Sequence, residues 1–166
     1  MTPPPRVRIE ALAEVHARAR FSCGVRRIDA YLSDALELQS RGLSRVFVAV
    51  EPGDRIVRGY YALQARHVVG ADVPQPLGRQ VRLDARIPVV ELVMLGVARR
   101  HQERGIGKAL LADALRRVKR TARDIGIWAV VLEALDEQAE AFYRRLGFAT
   151  LIDGRRTMFL AVAGIA

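Results

Sequence analysis

Pro88-Val-Val-Glu-Leu-Val-Met-Leu-Gly-Val97, then Gln102-Glu-Arg-Gly-Ile-Gly-Lys108, then Leu110-Leu-Ala-Asp-Ala-Leu-Arg-Arg-Val118: this stretch decides the fold. The first part is a nearly continuous apolar run rich in β-branched residues, as in strands covered on both faces. The charged turn from Ala98 to Arg104 leads into Gly105-Ile-Gly107 and a helix expected to reach about Asp124. Leu110, Leu111, Ala114, Leu115, Val118 and Ala122 recur on one face of that helix. Two glycines at a helix N-terminus let backbone N–H groups face outward, where the helix dipole adds positive potential for phosphate oxygens. Arg104 and Lys108 flank them. A dinucleotide fingerprint would need a third glycine where Leu110 stands, and a P-loop would need glycine at Gln102 and a hydroxyl at Ala109. A tight left-handed turn before a helix is the alternative without a ligand.

Working outward, Val7–Ile9 reads as a short strand. A helix is expected from about Val25 to Gln39, with Val25, Ile28, Leu32 and Leu36 at helical spacing, capped by Ser22 or Cys23-Gly24 and ended by Gly42. Arg45–Glu51 and Ile56–Leu63 flank the turn Pro52-Gly-Asp54 and predict an antiparallel hairpin. Ala71–Asp84, with Pro74, Pro76 and Gly78, reads as a loop. On the other side, Gly126 stops the long helix and Ile127–Leu132 is a buried strand. A short helix over Glu137–Arg145 is closed by Gly147, and Thr157–Val162 is the last strand. Strands alternating with helices give an α/β domain with a mixed sheet.

The chain has 166 residues, which suits a single domain over 1–166. Its lone cysteine, Cys23, excludes an internal disulfide framework and suits a reducing, cytoplasmic setting. No apolar run is long enough to span a bilayer, and Met1–Arg6 lacks the apolar core of a signal peptide, so no membrane association is expected. His16, His67 and His101 are scattered, so neither a metal site nor a hydrolase triad is expected. Net charge is +9, and 25 of the 27 basic residues are arginine. A coding bias accounts for Arg over Lys but not for the excess itself, which implies a polyanionic ligand or partner. Arg99–Arg123 alone carries nine basic residues against Glu103 and Asp113.

The spacing that remains, (Gln/Arg)-x-x-Gly-x-(Gly/Ala), resembles the pyrophosphate loop of coenzyme A-dependent acyltransferases. With Ala139-Glu-Ala-Phe-Tyr143-Arg-Arg-Leu-Gly-Phe148 one strand and one helix later, the chain from Arg45 to Leu160 resembles the GNAT superfamily of N-acetyltransferases. The resemblance implies a mixed, mostly antiparallel central sheet flanked by helices and splayed at an acetyl-CoA site. It assigns Leu95, Gly96 and Val97 to the pantetheine arm, and Gln102, Glu103, Arg104, Gly105, Ile106, Gly107 and Lys108 to the pyrophosphate. It adds Asp136, Ala139 and Phe142 to the cofactor site and makes Tyr143 the general acid. The chemistry fits, because a departing thiolate needs a proton and a positioned phenol can supply one. By periodicity alone, Tyr143 belongs to the apolar stripe Ala139, Phe142, Tyr143 and Leu146. Glu91, costly inside an apolar strand, stands 11 residues before Gln102, the spacing of the general-base glutamate in histone-type members. The alternatives are that it faces the open side of the sheet or pairs with an arginine. Cys23 is remote in sequence from these elements, so acetyl transfer is expected to be direct, without an acetyl-enzyme.

Phe21-Ser-Cys-Gly24, Ile28-Asp-Ala-Tyr-Leu32, Gly59-Tyr-Tyr-Ala-Leu63 and Ile87-Pro-Val-Val90 extend the resemblance to TacT-like toxins of type II toxin–antitoxin modules. Those toxins acetylate the α-amino group of aminoacyl-tRNA, which would block translation. Met94 stands where they often carry a basic residue, and Glu91 where many have an aliphatic one. The implied partners are aminoacyl-tRNA, a ribbon-helix-helix antitoxin and a second copy in a homodimer. Arg116, Arg120 and Arg123 recur opposite the core stripe of their helix, beyond reach of the Gly-x-Gly loop. They read either as a solvated face or as a phosphate-tracking stripe joined by Arg26, Arg27, Arg82 and Arg86. Other readings are acetylation of protein N-termini, lysines or small amines, or a basic nucleic-acid-binding module without catalysis.

Overall fold

The computed structural model describes residues 5–166. Among them seven strands form one mostly antiparallel sheet: β1 (Arg8–Ala11), β2 (Arg45–Val50), β3 (Gly59–Val69), β4 (Arg86–Val97), β5 (Ala129–Glu133), β6 (Ala149–Thr150) and β7 (Thr157–Ala161). Their order is β1-β2-β3-β4-β5-β7-β6. Three α-helices accompany them: α1 (Arg26–Ser40), α2 (Ile106–Thr121) and α3 (Glu137–Arg145). Packing divides the described residues into two compact units, residues 5–64 with 92–114, and residues 65–91 with 115–166.

In the first unit β1, β2 and β3 form an antiparallel meander, with Val46 opposite Ala62 and Val48 opposite Tyr60. Alternation along β2 turns Val46, Val48 and Val50 into a core with Ile28, Leu32 and Ala35 of α1. Tyr60 is fully buried and its hydroxyl donates to Ile28 O at 2.6 Å, which fixes α1 to the sheet and satisfies a group costly to leave bare. The first turn of α1 differs from expectation. Its N-cap is Val25, with no side-chain cap, and Asp29 instead accepts from Cys23 N at 2.8 Å. The carboxylate thus reaches back over the turn that Ser22 was expected to close. At the other end Gly42 takes φ +72°, in line with its stop role.

β3 begins three residues later than the apolar pattern suggests. Ile56 makes a parallel bridge with Ala17, and the Arg58 carbonyl accepts from Ala98 N at 2.8 Å, so both are occupied outside the ladder. Gly59 follows because a Cβ there would lie 2.9 Å from Leu110 Cδ1 and 3.1 Å from Gly96 O.

The second unit pairs β5 in parallel with the start of β4, Val89 opposite Ala129 and Glu91 opposite Val131. β7 and β6 complete its sheet in antiparallel register. Val68, Val73, Ile87, Val89, Val131, Leu151 and Phe159 form its core, with Trp128 stacked on Phe159 at 5.2 Å between ring centroids. The loop expected over Ala71–Asp84 contains two short 3-10 turns, Gly70–Asp72 and Leu77–Gln80. β6 is only two residues long and offers no periodicity to read.

Candidate active site

β4 delivers the first site residues. Gly96 is buried, and a Cβ there would approach Ile28 Cγ2 to 2.6 Å, so the strand end can lie this close to α1 only as glycine. Leu95 and Val97 flank it, half-buried. A 3-10 turn, Arg99–His101, then carries the chain to Gln102. The Gln102 amide donates to Val97 O at 2.9 Å and to Cys23 O at 2.8 Å. Its side chain therefore pins the loop to the strand end and to the segment before α1, rather than facing a phosphate.

Beyond Gln102 the backbone turns left-handed twice, at Glu103 (φ +60°) and Gly105 (φ +83°). The second is tolerable only for glycine. α2 starts at Ile106, and Ala109 N is bonded to Gly105 O. The N–H groups that open a helix have no intrahelical acceptor. Arg104, Gly105 and Lys108 are exposed here and Ile106 is buried beneath. The sequence expectation of an anion cradle thus meets a loop of the right form.

His101 accepts from Arg58 Nη1 at 3.2 Å, while Arg58 Nη2 donates to Asp54 at 2.9 Å. Burial, followed by the charges of Arg58 and Arg104, lowers the His101 pKa below its usual 6.5, so the ring is neutral at pH 7. Nothing local in the sequence announces this pair, because its members are 43 positions apart. Two clefts border it. Pro5, Arg6, Glu51, Arg104 and Ile106 are among the residues around one of about 460 Å³. Phe21, Ser22, Arg58 and Arg99 are among those around another of about 720 Å³, and His101 lines both.

Cys23 is not remote in space. Its sulfur lies 3.5 Å from where a Gly96 Cβ would stand. Direct transfer therefore needs another ground than sequence distance, and burial provides it by pushing the Cys23 thiol up to about 11. At neutral pH the group is a thiol and a poor nucleophile.

In the second unit, α3 presents Asp136, Ala139, Phe142 and Tyr143. Asp136 is the N-cap and accepts from Ala139 N at 2.8 Å, so both first serve to start the helix. Tyr143 meets Phe142 and Phe148 edge-on, with centroids 5.2 and 5.5 Å away. Desolvation raises the pKa of its phenol, which therefore keeps its proton. Gly147, at φ +97°, ends α3 and turns Phe148 back under that ring. Glu91 takes the arginine-paired alternative, accepting from Arg66 Nη1 at 3.1 Å.

The arginines named for RNA fall on several elements. Arg26 and Arg27 are exposed in the first turn of α1, and Arg86 is exposed at the start of β4. Arg82 is exposed and paired with Asp84 at 3.1 Å. Arg116 and Arg120 lie on α2, but the helix ends at Thr121, so Arg123 sits in the following turn rather than on the helix. Among the described residues no group of His, Cys, Asp and Glu is placed to hold a metal.

Such a strand end, glycine turn and helix, set in this sheet order, define an acyltransferase domain. Residues 42–150 match the family model of the Acetyltransferase (GNAT) domain, and the chain belongs to that family. It is 40% identical over 129 residues to the tRNA-acetylating toxin of Mycobacterium tuberculosis (strain ATCC 25618 / H37Rv), covering 77% of this chain and 75% of that one. With the probable toxin TacT of Sinorhizobium fredii (strain NBRC 101917 / NGR234) it shares 33% identity over 158 residues, 90% of this chain and 87% of the other. Among solved structures, AtaT complexed with acetyl-methionyl-tRNAfMet superposes with a TM-score of 0.88 at 27% identity over 96% of both chains. AtaTR bound with AcCoA gives 0.82 at 28% identity, again over 96% of both.

Proposed function

We propose that this protein transfers the acetyl group of acetyl-CoA to the α-amino group of aminoacyl-tRNA and acts as the toxin of a toxin–antitoxin module. The observation that carries this reading is the near full-length likeness to AtaT, whose solved complex holds acetyl-methionyl-tRNAfMet. The 40% identity to a tRNA-acetylating toxin supports it independently. The family match runs from 42 to 150 and so includes parts of both units, which supports reading the chain as one catalytic domain.

In this mechanism the backbone N–H groups opening α2, with Arg104 and Lys108, hold the pyrophosphate, and the strand end Leu95–Val97 takes the pantetheine arm. The α-amino nitrogen attacks the thioester carbonyl carbon, forming the C–N bond. The tetrahedral adduct then breaks its C–S bond, and the Tyr143 hydroxyl gives the departing thiolate its proton. The ammonium proton passes to solvent and the phenolate recovers its own. Products are N-acetyl-aminoacyl-tRNA and coenzyme A. An amine of this kind titrates near ~7.7–8.0, so much of it is neutral at cellular pH without a dedicated base.

The antitoxin is read as a ribbon-helix-helix protein. Neighbouring structures include AtaT with the C-terminus of the antitoxin AtaR, and the KacTA-DNA complex, as a DNA-binding antitoxin requires. A homodimer acting on tRNA in the cytoplasm completes the reading. Among the described residues no helix is long and apolar enough to cross a membrane. Incubation with labelled acetyl-CoA and total charged tRNA tests the function, the expected product being label on aminoacyl-tRNA. Label appearing on protein alone would replace this reading with protein acetylation.

A further inference from the structure

Arg20 has no assigned work in the first unit, and Arg99 and Arg100, which precede the proposed coenzyme A phosphate loop in sequence, do not line the cleft that holds Arg104 and Ile106. Arg20, Arg99 and Arg100 are exposed, and none makes an ion pair among the described residues. All three line the cleft of about 720 Å³, together with Phe21, Arg58 and His101, and no Asp or Glu lines it. The neighbouring carboxylates, Glu51 and Asp54, are turned to the Arg58 guanidinium at 3.6 and 2.9 Å. Like charges gathered around a concave surface raise the local potential for an anion.

The cleft is built rather than incidental. Arg99 N donates to Ser22 O at 2.9 Å, and the Arg99 guanidinium lies across Gly24, where a Cβ would come within 2.8 Å of its Nε. Phe21 is half-buried and meets Tyr60 edge-on at 5.6 Å and 74°, so its ring is held in place. A fixed aromatic ring beside planar guanidinium groups suits an unstacked base and its phosphate. The volume lies within the range of about 300–1,000 Å³ usual for small-ligand sites. None of residues 102–108 lines this cleft, whereas Arg104 and Ile106 line the other one, with His101 bordering both. The two clefts therefore meet at His101 and share no other lining residue.

We propose that the cleft binds a single-stranded ribonucleotide segment, which, resting on the function proposed above, is the unpaired 3′ end of the charged tRNA. Its arginines take the phosphates and Phe21 supports a base.

The test uses the full chain carrying Arg20→Ala and Arg100→Ala together, both at exposed positions. Binding of a short fluorescent RNA oligonucleotide ending in CCA is followed by anisotropy across a salt series, without turnover. The double variant is expected to bind on the order of tenfold more weakly, with a log–log salt slope shallower by about 1.4, from two contacts at about 0.7 each. Calorimetry should show its acetyl-CoA affinity within about twofold of the parent, since neither arginine lines the cleft that holds Arg104 and Ile106. Unchanged oligonucleotide affinity and slope would overturn the proposal. So would a loss of acetyl-CoA affinity that disappears with dephospho-coenzyme A, which would give the cleft to that ligand's 3′-phosphate. A parent protein that binds an acidic peptide there but not the oligonucleotide overturns it too. If the parent binds the oligonucleotide through these arginines yet leaves charged tRNA unmodified, the cleft stands and the acetylation reading falls.

Discussion

Replacing Tyr143 by phenylalanine removes one oxygen and little else. The ring would keep its edge-on contacts with Phe142 and Phe148, and no hydrogen bond to the hydroxyl is present among the described residues. With no cavity created and no partner orphaned, stability should change by no more than about 0.5 kcal/mol. Catalysis should respond on another scale. Losing a positioned general acid costs about 10²–10⁴ in rate, or roughly 2.7–5.5 kcal/mol of barrier at about 1.36 kcal/mol per decade. Because desolvation raises the phenol's pKa, the parent should hold its acid throughout the neutral range. The deficit of Tyr143→Phe should then be constant from pH 6.5 to 8.5 rather than confined to one limb. The assay is single-turnover acetylation of charged tRNA at saturating acetyl-CoA, alongside thermal melting and calorimetric acetyl-CoA binding. A variant within threefold of the parent rate, with normal melting, would remove Tyr143 from proton transfer. A collapse in melting temperature would instead show that the hydroxyl is structural.

Gly96→Ala would drive a methyl to 2.6 Å from Ile28 Cγ2 and should destabilise by about 1–3 kcal/mol through overpacking; denaturant melting reads this, and an unchanged midpoint contradicts the close approach of β4 and α1. For Glu91→Gln, the Arg66 ion pair is lost, so melting should fall while charged tRNA is still acetylated within about tenfold of the parent rate; a larger loss, of the ~10²–10⁴ expected for a base, would restore Glu91 to the chemistry. The sign of the acid sensitivity follows from His101, whose folded pKa lies below the 6.5 of the unfolded chain. Between those values the unfolded state binds more protons, so the stability His101 contributes is present above pH 6.5 and lost as pH falls through the folded pKa. His101→Asn should flatten the fall in melting temperature between pH 7 and 5, and an unaltered profile would exclude His101 as its source.

What the chain reveals in one dimension depends on whether the interactions are local. α3 was legible end to end, because Asp136 caps it, Gly147 stops it and its apolar stripe lies between them. The Gly-x-Gly loop was legible for the same reason: its left-handed turn and helix start are encoded by adjacent residues. The start of β3 was not, since Ile56 and Arg58 are claimed by Ala17 and Ala98, dozens of positions away. Gln102, expected at the pyrophosphate, spends its amide on Cys23 and Val97 instead, and neither partner is adjacent in sequence. Cys23 is remote in sequence from Gly96 yet adjacent to it in space, because α1 folds over the strand end. Charge behaved similarly. The count of arginines pointed to a polyanion; Arg82 pairs with nearby Asp84, whereas only the fold gathers Arg20, Arg99 and Arg100 around a cleft that no acidic residue lines.

Glu91 shows how the substrate's own chemistry bears on the site. A lysine ammonium, titrating near ~10.4, must be deprotonated before it can attack, whereas the α-amino group of an aminoacyl ester, near ~7.7–8.0 or below, is substantially neutral already. An acetyltransferase for the first needs a base, and one for the second does not. The carboxylate best placed in sequence for that work accepts from the Arg66 guanidinium and stands in register opposite Val131. A half-buried carboxylate of this kind persists when paired, because breaking the pair leaves an uncompensated charge. On the mechanism proposed above Glu91 has no part in proton transfer, and the chemistry reduces to an acid, Tyr143, and an amine that arrives ready. The same logic predicts the pH dependence of transfer: the rate should rise with the neutral fraction of the aminoacyl amine and level off near its own pKa. With methionyl-tRNA and with a charged tRNA of different amine pKa, the midpoint should move with the substrate. A midpoint that stays fixed across substrates, and shifts only in Glu91→Gln, would return the proton to the enzyme.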